Sequence, residues 1–140
     1  IANRVFLADK SKADFLLAAE AKKSFLSIKE ELFLKGKEAS GSLTLRLVAR
    51  EKSVIKAVSQ IQAQAPSRGH LDCQGLLVDK QAKIDLIPQL INENKQALLT
   101  HEASIGRIEK EKLEYLQSRG LSEKQAIDLI IKGFLSENGK

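Results

Sequence analysis

Apolar residues recur through the first hundred positions in short clusters: Phe15–Leu17, Phe25–Ile28, Leu32–Leu34, Leu43–Leu47, Val54–Val58, Ile61, Leu71–Leu77, Ile84–Ile87, Leu90–Ile91 and Leu98–Leu99. A spacing of about ten residues suits many short strands. Several clusters alternate with period two, as a strand with one buried face must. Leu43, Leu45 and Leu47 oppose Thr44 and Arg46; Ile61, Ala63 and Ala65 oppose Gln60, Gln62 and Gln64; Leu71, Cys73, Gly75 and Leu77 oppose His70, Asp72 and Gln74. Between them lie turn formers: Lys35-Gly36-Lys37, Ala39-Ser40-Gly41-Ser42, Pro66-Ser67-Arg68-Gly69 and Asn92-Glu93-Asn94. The stretch 13–34 also fits a helical period, and strands are the reading adopted for it. No Asn-Gly or Asp-Gly pair joins two alternating runs, since Asn138-Gly139 stands at the end. Short strands without tight hairpins fit a β-solenoid whose turns stack in parallel, or a sandwich with longer loops.

After Ile105 the period changes. Ile108, Leu113 and Leu116 fall on one helical stripe, and Gly120 is placed to close that helix in a left-handed conformation. Ser122 begins a second helix, with Gln125 completing a capping box and Ile127, Ile130, Ile131 and Phe134 forming its apolar faces. The expected organisation is a β body over residues 1–104 and a helical segment over 105–140.

At 140 residues, 43% hydrophobic and 29% charged, the chain is long enough for one domain with its own core. One cysteine excludes an internal disulfide and points to a reducing, cytoplasmic setting. No apolar run approaches the ~20 residues that span a bilayer, and no secretory leader opens the sequence. The absence of Met suggests a fragment, a processed form or a sequence from which modified residues are missing. The net charge is +5. However, basic residues alternate with acidic ones, as in Glu109-Lys110-Glu111-Lys112, and no aromatics interleave them. That pattern describes a solvated surface and argues against a nucleic-acid or membrane partner.

Candidate chemistry is sparse. Cys73 shares the parity of Leu71 and Leu77, which suits a buried apolar cysteine. A thiolate that binds sulfur or iron is the functional reading, and one cysteine would then need other ligands or a second subunit. His101 and Glu102 are adjacent, so in a regular strand they point to opposite faces. Both are competent metal ligands, and a polar pair at the end of the β body is the simpler reading. His70 precedes Cys73 by three residues, on the opposite face. No Cys-x-x-Cys, phosphate-binding glycine loop or nucleophile elbow is present, so an independent enzyme is not expected.

The segment Thr100-His101-Glu102-Ala103-Ser104-Ile105-Gly106-Arg107-Ile108 resembles the C-terminal region of the SufB/SufD family, which assembles iron–sulfur clusters. So do Leu113 to Glu123, with Ser118-Arg119-Gly120-Leu121-Ser122-Glu123, and Ala126 to Ile130 with Gly133-Phe134-Leu135. Cys73-Gln74-Gly75-Leu76-Leu77-Val78 and Ile84 to Leu90 are similar to the family's last β-helical turns. The resemblance implies a mainly β protein: a right-handed parallel β-helix, or β-solenoid, with a C-terminal two-helix subdomain. It implies a scaffold that pairs as a homodimer or SufB–SufD heterodimer, receives sulfur from a cysteine desulfurase, and works with an ABC-type ATPase, SufC.

By motif, Cys73 matches a SufB cysteine implicated in building the cluster, Glu102 a proposed partner glutamate, and His101 a histidine that SufD contributes across the dimer interface. SufB-like identities at these positions imply a transient iron–sulfur cluster. The ATPase would dock on the helices, through Leu113, Tyr115, Leu116, Arg119, Ile127, Ile130 and Phe134. Full family members are much longer, and their N-terminal cysteine-rich motifs are missing from this sequence. The competing expectation is a structural or regulatory module that binds the ATPase and holds no cluster.

Overall fold

A computed structural model describes residues 1–136. Eight strands and two helices follow one another: β1 (Ala2–Leu7), β2 (Lys12–Lys22), β3 (Phe25–Leu34), β4 (Ala39–Arg50), β5 (Val54–Ala63), β6 (Ser67–Leu77), β7 (Lys83–Asn92), β8 (Leu98–Arg107), α1 (Lys110–Ser118) and α2 (Glu123–Ser136). The last four residues of the expected helical segment, 137–140, lie outside the described residues.

Odd-numbered strands form one parallel sheet, β1-β3-β5-β7, and even-numbered strands a second, β2-β4-β6-β8. Each consecutive pair of strands is therefore one turn of a solenoid, and four turns stack. The repeat is short and nearly constant: Ala2 lies opposite Lys29, and Arg68 opposite Leu98. Of the two arrangements that short strands without hairpins fit, the solenoid that the family resemblance implies is present, and residues 13–34 are strands in it.

In-register stacking aligns like with like. Phe15, Leu43 and Leu71 form one inward column with His101, and Leu17, Leu45 and Cys73 form the next with Ala103. Facing them are Ile28 and Ala57, then Leu32 and Ile61. Leu32, Leu34, Leu47, Ile55, Ile61 and Leu71 are wholly buried. Burial of that kind stabilises by roughly 1.5–3 kcal/mol per large side chain.

Corners carry the backbone strain that sharp turns require. Lys10, Lys23, Glu38 and Glu51 have positive φ. Stacked corners are tied to one another by Lys10 N–H to Lys37 O, Glu38 N–H to Pro66 O, and Lys37 N–H to the Asp9 carboxylate. Gly36 is needed because a Cβ there would lie 2.0 Å from the backbone nitrogen of Asp9.

Parallel pairing continues through Arg107, so residues 105–107 belong to β8. Ile108, expected on the first helical stripe, lies instead between β8 and α1, because the sheet keeps its residues paired to that point. There it packs with Val48, Leu76 and Ile131 in a second apolar cluster, joined by Ile127, Ile130 and Phe134. Val48 and Leu76 are on the outward side of their strands, and α2 covers them. Arg50 adds a polar tie, its guanidinium reaching both Glu20 and Asp128 at 3.2 Å. Gly120 closes α1 at φ +96° as expected. The capping box is formed: Ser122 N–H donates to Gln125 Oε1 (2.9 Å), and Gln125 N–H to Ser122 Oγ (3.1 Å).

Candidate functional site

Cys73 is 1% exposed, on the inner side of β6 with Leu45 and Ala103 beside it in register. Its Sγ lies 3.1 Å from Ser59 Oγ, which projects from β5 across the core. Burial pushes the Cys73 thiol above its ordinary value, and the nearby Asp72 carboxylate adds to that. The Ser59 hydrogen bond and the Arg46 guanidinium pull the other way and lose to desolvation.

β8 is the last strand of its sheet, so its side chains have no further turn over them among the described residues. His101 is opposite Leu71 and Glu102 opposite Asp72. Alternation therefore puts His101 on the inner side with Cys73 and Glu102 on the outer side with Asp72. Both are exposed. The strand has no bend to bring them together, and within this chain Cys73 and Glu102 are on opposite faces of one sheet. Among the described residues no three His, Cys, Asp or Glu side chains converge as a metal site. The inner side of this sheet thus carries one thiol, with an imidazole on the same side in the next strand.

On the outer face lies a buried ion pair that the alternation pattern does not suggest. Arg46 Nη2 is 2.8 Å from Asp72 Oδ2, with side chains 2% and 8% exposed, and Arg46 Nη1 also donates to Leu45 O. Residues on a polar parity read as solvated, so nothing local in the sequence marks this pair. Ser59 and Glu30 are different. Each interrupts an inward apolar parity, Ser59 among Ile55, Ala57, Ile61 and Ala63, and Glu30 among Ile28, Leu32 and Leu34. That interruption is a signal the sequence carries. Glu30 Oε1 accepts from Asn3 Nδ2 at 2.8 Å and lies in register with Ser59.

The helical residues expected to meet a partner divide into two groups. Ile127, Ile130 and Phe134 pack on the β body. Leu116, Ile130 and Phe134 also line a cleft of about 440 Å³ with Leu76, Ile108 and Leu129. Tyr115 stands 59% exposed, with the Arg119 guanidinium 5.7 Å from its ring centroid, and Leu113 is half-buried. No side chain of α1 is fully buried. No helix of the described residues is long and apolar enough to cross a membrane.

These features define a parallel β-solenoid of four turns, closed on one flank by two helices, with its one thiol buried near the last turn. Residues 4–134 match the family described as SUF system FeS cluster assembly, SufBD core domain, and the chain belongs to that family. An iron–sulfur cluster assembly SufBD family protein of Methanothermobacter thermautotrophicus is 34% identical over 116 residues, covering 82% of this chain and 28% of that protein. One from Pyrococcus horikoshii is 37% identical over 112 residues, 79% of this chain and 25% of its own length. A Staphylococcus aureus relative is 38% identical over 69 residues, covering 49% and 15%. The chain thus spans between a quarter and a third of the length of the two archaeal relatives.

Proposed function

We propose that this chain is a scaffold segment on which a nascent iron–sulfur cluster is assembled and from which it is passed on, with the cluster as cargo. The observation that carries the reading is the position of Cys73: the chain's one thiol, held on the inner side of β6, next to the strand that bears His101. Thiolate sulfur is the usual ligand for such clusters, and a site short of ligands suits a cluster that must leave. His101 would be the nearest nitrogen ligand on the inner side. Glu102 would serve from the outer side, or toward a second copy or a SufB/SufD partner whose own groups complete the set. Sulfur would come from a cysteine desulfurase system. The chain acts as a scaffold and not as an enzyme, in the cytoplasm, where an unpaired thiol stays reduced.

A SufC-type ABC ATPase is the proposed partner of the helices, through exposed Tyr115 and Arg119 with Leu113 beside them. Leu116, Ile127, Ile130 and Phe134 would shape the neighbouring cleft. The test is anaerobic reconstitution with iron and sulfide. Visible absorption in the parent chain that Cys73→Ser removes is the expected result, and identical spectra overturn the reading.

The burial of Cys73 and its separation from Glu102 favour a second reading, a module that docks the ATPase and holds no cluster. Capture of the ATPase without iron uptake would select it.

A further inference from the structure

β5 sends five side chains into the core, Ile55, Ala57, Ser59, Ile61 and Ala63, all buried. Ser59 alone of these is polar, and it is 1% exposed. A buried hydroxyl costs free energy that alanine would not, unless a hydrogen bond offsets it. Its partner here is the Cys73 sulfur at 3.1 Å, on the opposite sheet. We propose that Ser59 is a positioning residue for Cys73, its hydroxyl donating to Sγ when the sulfur is ionised and holding it in one place inside the solenoid. The inference rests on Cys73 being the reacting group of the function proposed above.

Hydrogen bonds to an ionised acceptor are shorter and stronger than those between neutral groups. The contact therefore favours the reactive thiolate more than the resting thiol. No other polar side chain of β5 reaches the inner side. The charged groups that act on the sulfur are Asp72 and Arg46, on the other face of the same sheet; Glu30 is in register with Ser59 on β3. His101 is on the inner side of β8. None of the four is substituted in the test that follows.

One cysteine makes the test direct. The ultraviolet absorbance of the Cys73 thiolate reads the buried sulfur without a reagent having to reach it. It is followed from pH 8 to 10 in the parent, Ser59→Ala and Ser59→Thr chains, each against its own Cys73→Ala background, free of iron and sulfide and with thermal unfolding curves compared. The expected result is roughly tenfold less thiolate at a given pH in Ser59→Ala, with Ser59→Thr near the parent because it keeps the hydroxyl. A packing role alone predicts the opposite, since removing the oxygen loosens the core and lets water reach the sulfur. An equal or larger thiolate fraction in Ser59→Ala overturns the proposal; if the threonine chain does not fold, the alanine comparison decides. The two ideas fail separately. An unchanged thiolate fraction with a Cys73-dependent chromophore removes only the role of Ser59. A reduced fraction with no dependence of the chromophore on Cys73 leaves the Ser59 contact standing and removes the scaffold reading.

Discussion

Arg46 and Asp72 form a 2.8 Å ion pair that is almost wholly buried, although both belong to the outward side of a sheet. They are on neighbouring strands and offset by one step of the pleat, since Arg46 is in register with Gln74 and Asp72 with Thr44. Arg46 Nε has no hydrogen-bond partner. Burying two charges costs several kcal/mol each, so their attraction offsets that cost and adds little net stability. Removing one partner is another matter. Asp72→Ala should destabilise by about 3–5 kcal/mol, because it strands a buried guanidinium. The double replacement Arg46→Met with Asp72→Leu should recover most of that loss. Urea unfolding of Arg46→Met, Asp72→Leu and the double variant measures the coupling; additive losses would show the pair to be independent.

The body was legible because a stacked solenoid repeats one simple constraint. Leu43, Leu45 and Leu47 alternate in sequence, and stacking places Leu71 and Cys73 directly above two of them. Alternation alone therefore assigns Cys73 to the core and separates it from His70. The absence of hairpin turns admitted parallel stacking without choosing it over a sandwich, and the family resemblance made that choice. Partners across the core, or diagonally between turns, are not named by any local pattern, even where one of them, as Ser59 does, interrupts an apolar parity. Ser59 meets Cys73 only because two sheets face each other, and Arg46 meets Asp72 across strands separated by 26 residues. Ile108 departs from its expected place for a related reason: its helical spacing to Leu116 is real, yet sheet pairing to Arg107 fixes the backbone before the helix can begin.

Two glycines allow a sharp contrast. At Gly36 a methyl group would overlap the backbone of Ala8 and Asp9, which cannot move without breaking the corner stack. Gly36→Ala should cost about 3 kcal/mol or more, at the upper end of what overpacking costs, because the backbone has to shift. Gly106, in the last strand, has open space on the side where a Cβ would stand, with nothing within 4 Å of it. Gly106→Ala should therefore stay within about 0.5 kcal/mol of the parent. Thermal unfolding of both chains checks the pair, and similar shifts for the two would contradict the corner geometry.

The capping box offers a local test on the helical flank. Ser122 and Gln125 satisfy each other's backbone N–H groups, so Ser122→Ala leaves one donor at the start of α2 without its partner. A loss of about 1 kcal/mol is expected. It should be confined to α2, whose attachment to the body rests on Ile131, its apolar neighbours and the Arg50–Asp128 contact. Hydrogen exchange resolves this: α2 amides should lose protection while the β4 and β6 amides keep theirs. Equal loss in the strands would mean that the helices and the solenoid unfold as one unit.

Burial of Cys73 also makes stability depend on alkaline pH. The thiol ionises above its ordinary value in the folded chain, because the core penalises the thiolate. In the unfolded chain it ionises near pH ~8.5. Below that pH both states carry the proton, and the group contributes no pH dependence. Above it the unfolded chain releases the proton first, so the unfolded state binds fewer protons and stability falls as pH rises, until the folded thiol ionises in turn. The slope is about 1.4 kcal/mol per pH unit at most. Cys73→Ala lacks the titrating group and should not show this component, and whatever else depends on pH is common to both chains. The difference in unfolding free energy between parent and variant, from urea curves at pH 8, 9 and 10, should therefore shrink as pH rises. A difference that stays constant over this range would mean that the folded thiol ionises as readily as the unfolded one, and that the core around Cys73 is open to water.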